Sequence, residues 1–232
     1  MRERTVWHKA FRASHGPQAV EALNTAWHEL VAQAPTNFHS GRKEPELTET
    51  LCFYLEQTRA AHRLPGQWMN ETPQGQILIE NKQATVKNRK RTDIRYFTER
   101  YFPTTNLVFE FKKLDHRKPQ RDNYVGEEGM LRFITGEYSR GHPVAVMVGI
   151  LIEHDDDTVP PLLKQLEEAA VRSRLHMGKS PICRPSGLFA CARFDTEHVR
   201  PKDRAPAHGT IVISHLFLGF PDLPRAKTSR AK

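Results

Sequence analysis

The sequence lacks any run of about 18 apolar residues, the length a helix needs to cross a bilayer. Its first residues, MRERTVWHKAFRASHG, also lack the apolar segment of a secretion signal, so a cytoplasmic protein with no membrane partner is expected. Cysteine is scarce: Cys52, Cys183 and Cys191 are an odd number without C-x-x-C spacing, which argues against a disulfide framework or a zinc ribbon and for buried thiols. Acidic residues are outnumbered, 27 against 35 lysines and arginines, for a formal charge of +8. A polyanion would be drawn to such a chain before any specific contact formed, and nucleic acid is the leading partner class. Aspartate is missing upstream of Asp93.

What is present is an ordinary globular composition, 38% hydrophobic and 27% charged over 232 residues. One domain over residues 1–220 is expected, followed by a basic tail at 221–232, ending in LPRAKTSRAK, whose composition predicts disorder. No internal repeat or domain linker is visible.

Val20, Leu23, Trp27, Leu30 and Val31 recur at helical spacing, predicting an amphipathic helix over 18–31. A second begins near Glu44, with Pro45 in its first turn and Leu47, Leu51, Tyr54 and Leu55 as its buried stripe. Strands are predicted over 76–80, 92–97 and 106–112, then a glycine-containing helix over 124–138 and a strand over 144–152 that is apolar on both faces. A helix over 159–175 and strands over 188–194 and 210–220 complete the order. The fold class is α/β, with a mixed central sheet flanked by helices.

In the strand NLVFEFK, side chains alternate, so Leu107, Phe109 and Phe111 face one way and Val108, Glu110 and Lys112 the other. An acid and an amine on so apolar a strand cost several kcal/mol per ion unless they pair or hold a metal. A short connection could bring Asp93, on the preceding strand, beside Glu110. Two hard oxygen ligands, with other positions left to water and phosphate, suit Mg²⁺, with Mn²⁺ as a substitute. Lys112 would then position a water or stabilise charge developing on a phosphodiester. On the helix before, Glu44 shares the stripe of Leu47, Leu51 and Leu55; it is either a further acid of the site or an exposed cap.

Asp93, a hairpin, and then Glu110-Phe111-Lys112 in an apolar strand resemble the signature of the PD-(D/E)xK nuclease superfamily over roughly residues 44–152. Thr92 stands where the motif has proline. The resemblance implies a restriction-endonuclease-like fold and a metal-dependent endonuclease acting on DNA, with RNA also compatible. Asp93 and Glu110 would be the metal ligands, and Asp93, Glu110, Lys112 and Glu44 the catalytic set. A bacterial defence or restriction role, as a homodimer or within a larger defence complex, is the biological setting it implies. Phosphate contacts are expected from the basic run Lys87, Arg89, Lys90 and Arg91 and from Arg121, Tyr124 and Arg132. The competing reading is a silent nucleic-acid-binding or assembly subunit that keeps the fold; two adjacent carboxylates that repel phosphate speak against it.

Glu80-Asn81-Lys82 repeats the E-x-K spacing, but without an upstream aspartate. An exposed Glu110–Lys112 ladder is the bland alternative for the main motif. Gly178-Lys179-Ser180 is not a P-loop, since Ser173 replaces the leading glycine and a helix precedes it. His154-Asp155-Asp156-Asp157 reads as a helix cap, and His215 as a core histidine.

Overall fold

The computed structural model describes residues 2–80, 83–99, 104–179 and 181–226; the side chains of 2–6 and 72–91 lie outside that description. Three helices come first: α1 (Arg2–Arg12), α2 (Gly16–Gln33) and α3 (Glu44–Thr58). A hairpin of two long strands follows, β1 (Gln67–Glu80) and β2 (Gln83–Thr98), and then β3 (Thr105–Leu114). The rest comprises α4 (Lys118–Val125), α5 (Met130–Ile134), β4 (Val144–Leu151), α6 (Asp155–Glu167), α7 (Ala169–Arg174), β5 (Phe194–Val199) and β6 (Thr210–Leu218).

The strands form one mixed sheet in the order β1-β2-β3-β4-β6-β5. β3, β4 and β6 are parallel, and the outer pairs are antiparallel. The predicted alternation of β3 divides the core. Leu107, Phe109 and Phe111 join Val20, Leu23 and Trp27 of α2 and Leu47, Leu51 and Leu55 of α3 on one face. Val108 joins Tyr124, Phe133, Met147, Leu162 and Leu166 under α4, α5 and α6 on the other. Among the described residues no helix is long and apolar enough to cross a membrane.

Several boundaries differ from those expected. β1 begins at Gln67 rather than residue 76, because Pro73 is tolerated on an edge strand and the register slips between Gln74 and Gln76, around Gly75. The helix expected over 124–138 is two, parted at Gly126 and Gly129; a Cβ at Gly129 would lie 2.1 Å from the Tyr124 carbonyl oxygen. The helix expected over 159–175 starts at Asp155 and breaks at Glu168, whose backbone is extended. The strand placed at 188–194 instead runs over Phe194–Val199, where buried, bonded Asp195, Thr196 and His198 give a strand a polar composition. Of the thiols only Cys52 is buried; Cys183 is exposed and Cys191 partly so.

Residues 221–226 of the expected tail turn back on α6. His154 donates its N–H to the Pro224 carbonyl at 3.0 Å, the Ala226 N–H donates to Asp157 Oδ2 at 3.0 Å, and Arg225 meets Asp156 at 3.3 Å. Residues 227–232 lie outside the described residues. His154 caps α6, accepting the Asp156 N–H on Nδ1, as the cap reading expects.

Candidate active site

The site lies where β3 loses a neighbour. β2 pairs with β3 only from Thr98↔Thr105 to Ile94↔Phe109; past Ile94, β1 and β2 continue together without it. β4 covers the other edge of β3 as far as Leu114, so the N–H groups of Phe111 and Lys113 face an unfinished edge. Such donors must find acceptors. Asp93 Oδ2 accepts from Phe111 N at 2.8 Å, and Glu44 Oε2 accepts from Lys113 N at 2.9 Å. Two carboxylates from different elements thus continue the ladder that β2 abandons.

Between them sit Glu110 and Lys112, two of the three charged side chains of β3. Glu110 is fully buried and Lys112 is 7% exposed, which overturns the exposed-ladder alternative. Lys112 Nζ donates to Glu110 Oε1 at 3.0 Å, to Glu44 Oε1 at 3.3 Å and to the Phe111 carbonyl at 2.7 Å. Arg132 of α5 donates through Nη1 to the same Glu110 Oε1 at 2.9 Å and to the Tyr138 hydroxyl at 2.9 Å. Glu110 Oε2 is buried with no hydrogen-bond partner among the described residues.

Three carboxylates therefore face two cations. Burial pushes the Asp93 carboxyl up to about 6, against the pull of Lys112 and of the Phe111 N–H. Glu110 is pushed up to about 8, by burial first and then by the charge of Asp93. Burial opposes the charge on Lys112, yet Glu110, Glu44 and Asp93 outweigh it and raise its pKa above the ordinary lysine value. The surplus of negative charge calls for one more positive partner, a proton or a cation. An all-oxygen set with an orphaned carboxylate oxygen fits a hard divalent ion. Among the described residues no group of three or more His, Cys, Asp or Glu forms a ligand cluster, so such an ion would rest on Asp93 and Glu110, with water or phosphate completing its shell.

The four residues Asp93, Glu110, Lys112 and Glu44 are brought together. Glu46, by contrast, bonds the Lys43 N–H at the start of its own helix and pairs with Arg42 on the surface. The phosphate-contact candidates disperse. Arg132 is an internal partner of Glu110. Arg121 lies in an open groove of about 1060 Å³ with Lys118, Lys164 and Arg174, bonded to Gln165 Oε1 at 3.1 Å. Tyr124 is fully buried and gives its hydroxyl to His215, so it is a core residue and not a phosphate contact. The backbone of 87–91 belongs to β2; the side chains of Lys87, Arg89, Lys90 and Arg91, and of Glu80 in the rival motif, lie outside the described residues, as do Asn81 and Lys82. Sequence reasoning missed Tyr138, which reaches the site from the loop after α5, and the tie from Lys113 Nζ to the carbonyls of Ser40 and Arg42 that steadies the entry to α3. Only the i, i+4 spacing of Glu128 and Arg132, which are ion-paired, was there to be read.

No family model matches the chain, and comparisons with curated proteins and with solved structures return no match.

Proposed function

We propose that this chain is a metal-dependent endonuclease hydrolysing phosphodiester bonds of DNA, with a restriction-endonuclease-like site formed by Asp93, Glu110, Lys112 and Glu44. The observation that carries the reading is the gathering of these four residues at the unfinished edge of β3, with Glu110 Oε2 left unpartnered. Asp93 and Glu110 would hold Mg²⁺ or Mn²⁺. When bound, such an ion polarises a scissile phosphate and makes a water more acidic. Lys112, kept charged by its acidic neighbours, is placed to orient that water or to donate to a phosphoryl oxygen as negative charge develops. Glu44 fixes Lys112 from the helix side through one oxygen while its other oxygen holds the β3 backbone. Asp93 likewise keeps one oxygen on the Phe111 N–H, which fixes where its second oxygen can go.

The basic excess of the chain supports a polyanionic substrate. Lys87, Arg89, Lys90 and Arg91 precede Asp93 on the same strand, β2, and remain the first candidates for phosphate contacts.

The test is cleavage of plasmid and single-stranded DNA with Mg²⁺, Mn²⁺ or EDTA. Wild type should cut only with metal, Asp93→Ala, Glu110→Ala and Lys112→Ala should not cut, and Glu80→Ala should behave as wild type. DNA binding in EDTA without cleavage under any metal would replace the reading with that of a silent binding or assembly subunit.

A further inference from the structure

Glu110 is held unevenly. Lys112 and Arg132 both donate to Oε1, at 3.0 and 2.9 Å, while Oε2 has no hydrogen-bond partner among the described residues. Two cations spread over a buried carboxylate would each take an oxygen if neutralising charge were all they did. Stacking both on one oxygen fixes the rotation of the carboxylate and leaves the other aimed.

Arg132 is itself held firmly. Its Nη1 also donates to the Tyr138 hydroxyl at 2.9 Å, its Nη2 pairs with Glu128, and its guanidinium lies 5.3 Å from the centre of the Tyr138 ring. Tyr138 is fixed in turn by Arg200, which is 3% exposed and gives hydrogen bonds to three backbone carbonyls, those of Tyr138 at 3.0 Å, Ser139 at 2.9 Å and His142 at 3.3 Å. Gly136, at φ +73°, lets that loop close on Arg200 and Arg204; a Cβ there would come within 2.9 Å of the Arg200 guanidinium. A continuous rail runs from the end of β5, through the loop after α5, to one oxygen of Glu110.

We propose that Arg132, braced by Tyr138 and Glu128, is a positioning residue that pins Glu110 Oε1 so that Oε2 is presented to a divalent cation. The proposal rests on the metal-dependent reading of the site, and it gives Arg132 a different task from the phosphate contact that the sequence suggests. Groups that orient a ligating carboxylate typically change metal affinity about 10–100-fold when removed.

The experiment is Mn²⁺ titration of the full chain without DNA, followed by calorimetry and by the electron spin resonance signal of free Mn²⁺. Arg132→Gln should weaken Mn²⁺ binding about 10–100-fold. Arg132→Lys should recover part of that loss, and Tyr138→Phe, which removes only the brace, should weaken binding by less than Arg132→Gln does, by about 10-fold at most, the lower end of such effects. Circular dichroism and thermal melts establish that each variant is folded, and the two conservative changes carry the test if Arg132→Gln is not. Mn²⁺ affinity equal to or above that of wild type in the folded variants would overturn the proposal, and would do so all the more clearly if DNA binding in EDTA fell in Arg132→Gln, making Arg132 a phosphate contact. Wild type that binds no Mn²⁺ would sink the metal reading itself, and the positioning role with it.

Discussion

Two buried polar clusters lie in one row across the same face of the sheet. Glu110 stands opposite Met147, Met147 opposite His215, and His215 opposite Phe194. At the β3 end the row carries charge, a carboxylate surplus and an orphaned oxygen. At the β6 end it carries a neutral chain: the Tyr124 hydroxyl meets His215 Nδ1 at 2.9 Å, His215 Nε2 meets Thr196 Oγ1 at 2.9 Å, Thr196 Oγ1 meets His198 Nε2 at 2.7 Å, and His198 Nδ1 meets the Leu175 carbonyl at 2.7 Å. With the carbonyl able only to accept and each neutral ring carrying one proton, the short contacts run one way: His198 donates to Leu175, Thr196 to His198, His215 to Thr196 and Tyr124 to His215, leaving the 3.5 Å contact of Thr196 with the Ile213 carbonyl secondary. Burial holds His198 down to about 4 and His215 well below the usual histidine range, so both rings stay neutral. The charged cluster reaches the surface at Glu44 and Arg132 while the neutral one is wholly buried, and the two differ in whether their bonding is complete. A completed network stabilises a fold, whereas an incomplete one keeps a place for something else.

That contrast breaks first at Asp93. Asp93→Asn keeps an acceptor for the Phe111 N–H but removes the charge that faces Glu110, so plasmid cleavage should fall by about 10³-fold or more while the metal-free protein melts at or above the wild-type temperature at pH 7. A lower melting temperature would mean that the acid surplus serves stability. In the neutral chain the opposite outcome is expected. Thr196→Val leaves one nitrogen of each histidine without its partner, at about 1–3 kcal/mol apiece, and urea melts should register that loss while Mn²⁺ affinity stays at the wild-type level.

Acidity sharpens the comparison at smaller amplitude. Asp93 and Glu110 have raised pKa values, so their contribution to metal-free stability is complete only below their ordinary values of 3.8 and 4.5 and is lost as pH rises through about 6 and about 8. For His198, depressed to about 4, the contribution is complete above 6.5 and is lost as pH falls toward 4. Melts across this range should respond on the alkaline side to Asp93→Asn and to added Mn²⁺, and on the acid side to neither. The smallest effect belongs to Glu46, two residues from Glu44 but half exposed and paired with Arg42. Glu46→Gln should cost under about 1 kcal/mol and leave cleavage unchanged.

Much of this was legible in the chain. The stripes of α2 and α3, the doubly apolar β4 and the alternation in LVFEFK are local patterns, and they predict the α/β layering and the pairing of Glu110 with Lys112. Asp93 could be read because a hairpin brings neighbouring strands together. Glu44 keeps two roles open in the sequence, since which face of a helix end meets a strand 66 residues later, at Glu110, is decided by tertiary packing. Tyr138 and the inward turn of Arg132 had no local signature, because both depend on a loop held by Arg200 from the far side of the sheet. β5 was misplaced for a related reason: its polar residues are buried by partners on β6 and after α7, which composition does not reveal.

The carboxylates at the unfinished edge of β3 tie inheritance of the fold to inheritance of the chemistry. Asp93 and Glu44 each place one oxygen on the backbone and have a second for the site, so most random replacements at either position damage the sheet as well as the proposed chemistry. A lineage drifting toward an inert protein is steered to the isosteric amides, which keep the backbone acceptor and discard the charge. Asparagine at position 93 or glutamine at position 44 is therefore the mark by which a retired copy of this protein would be recognised.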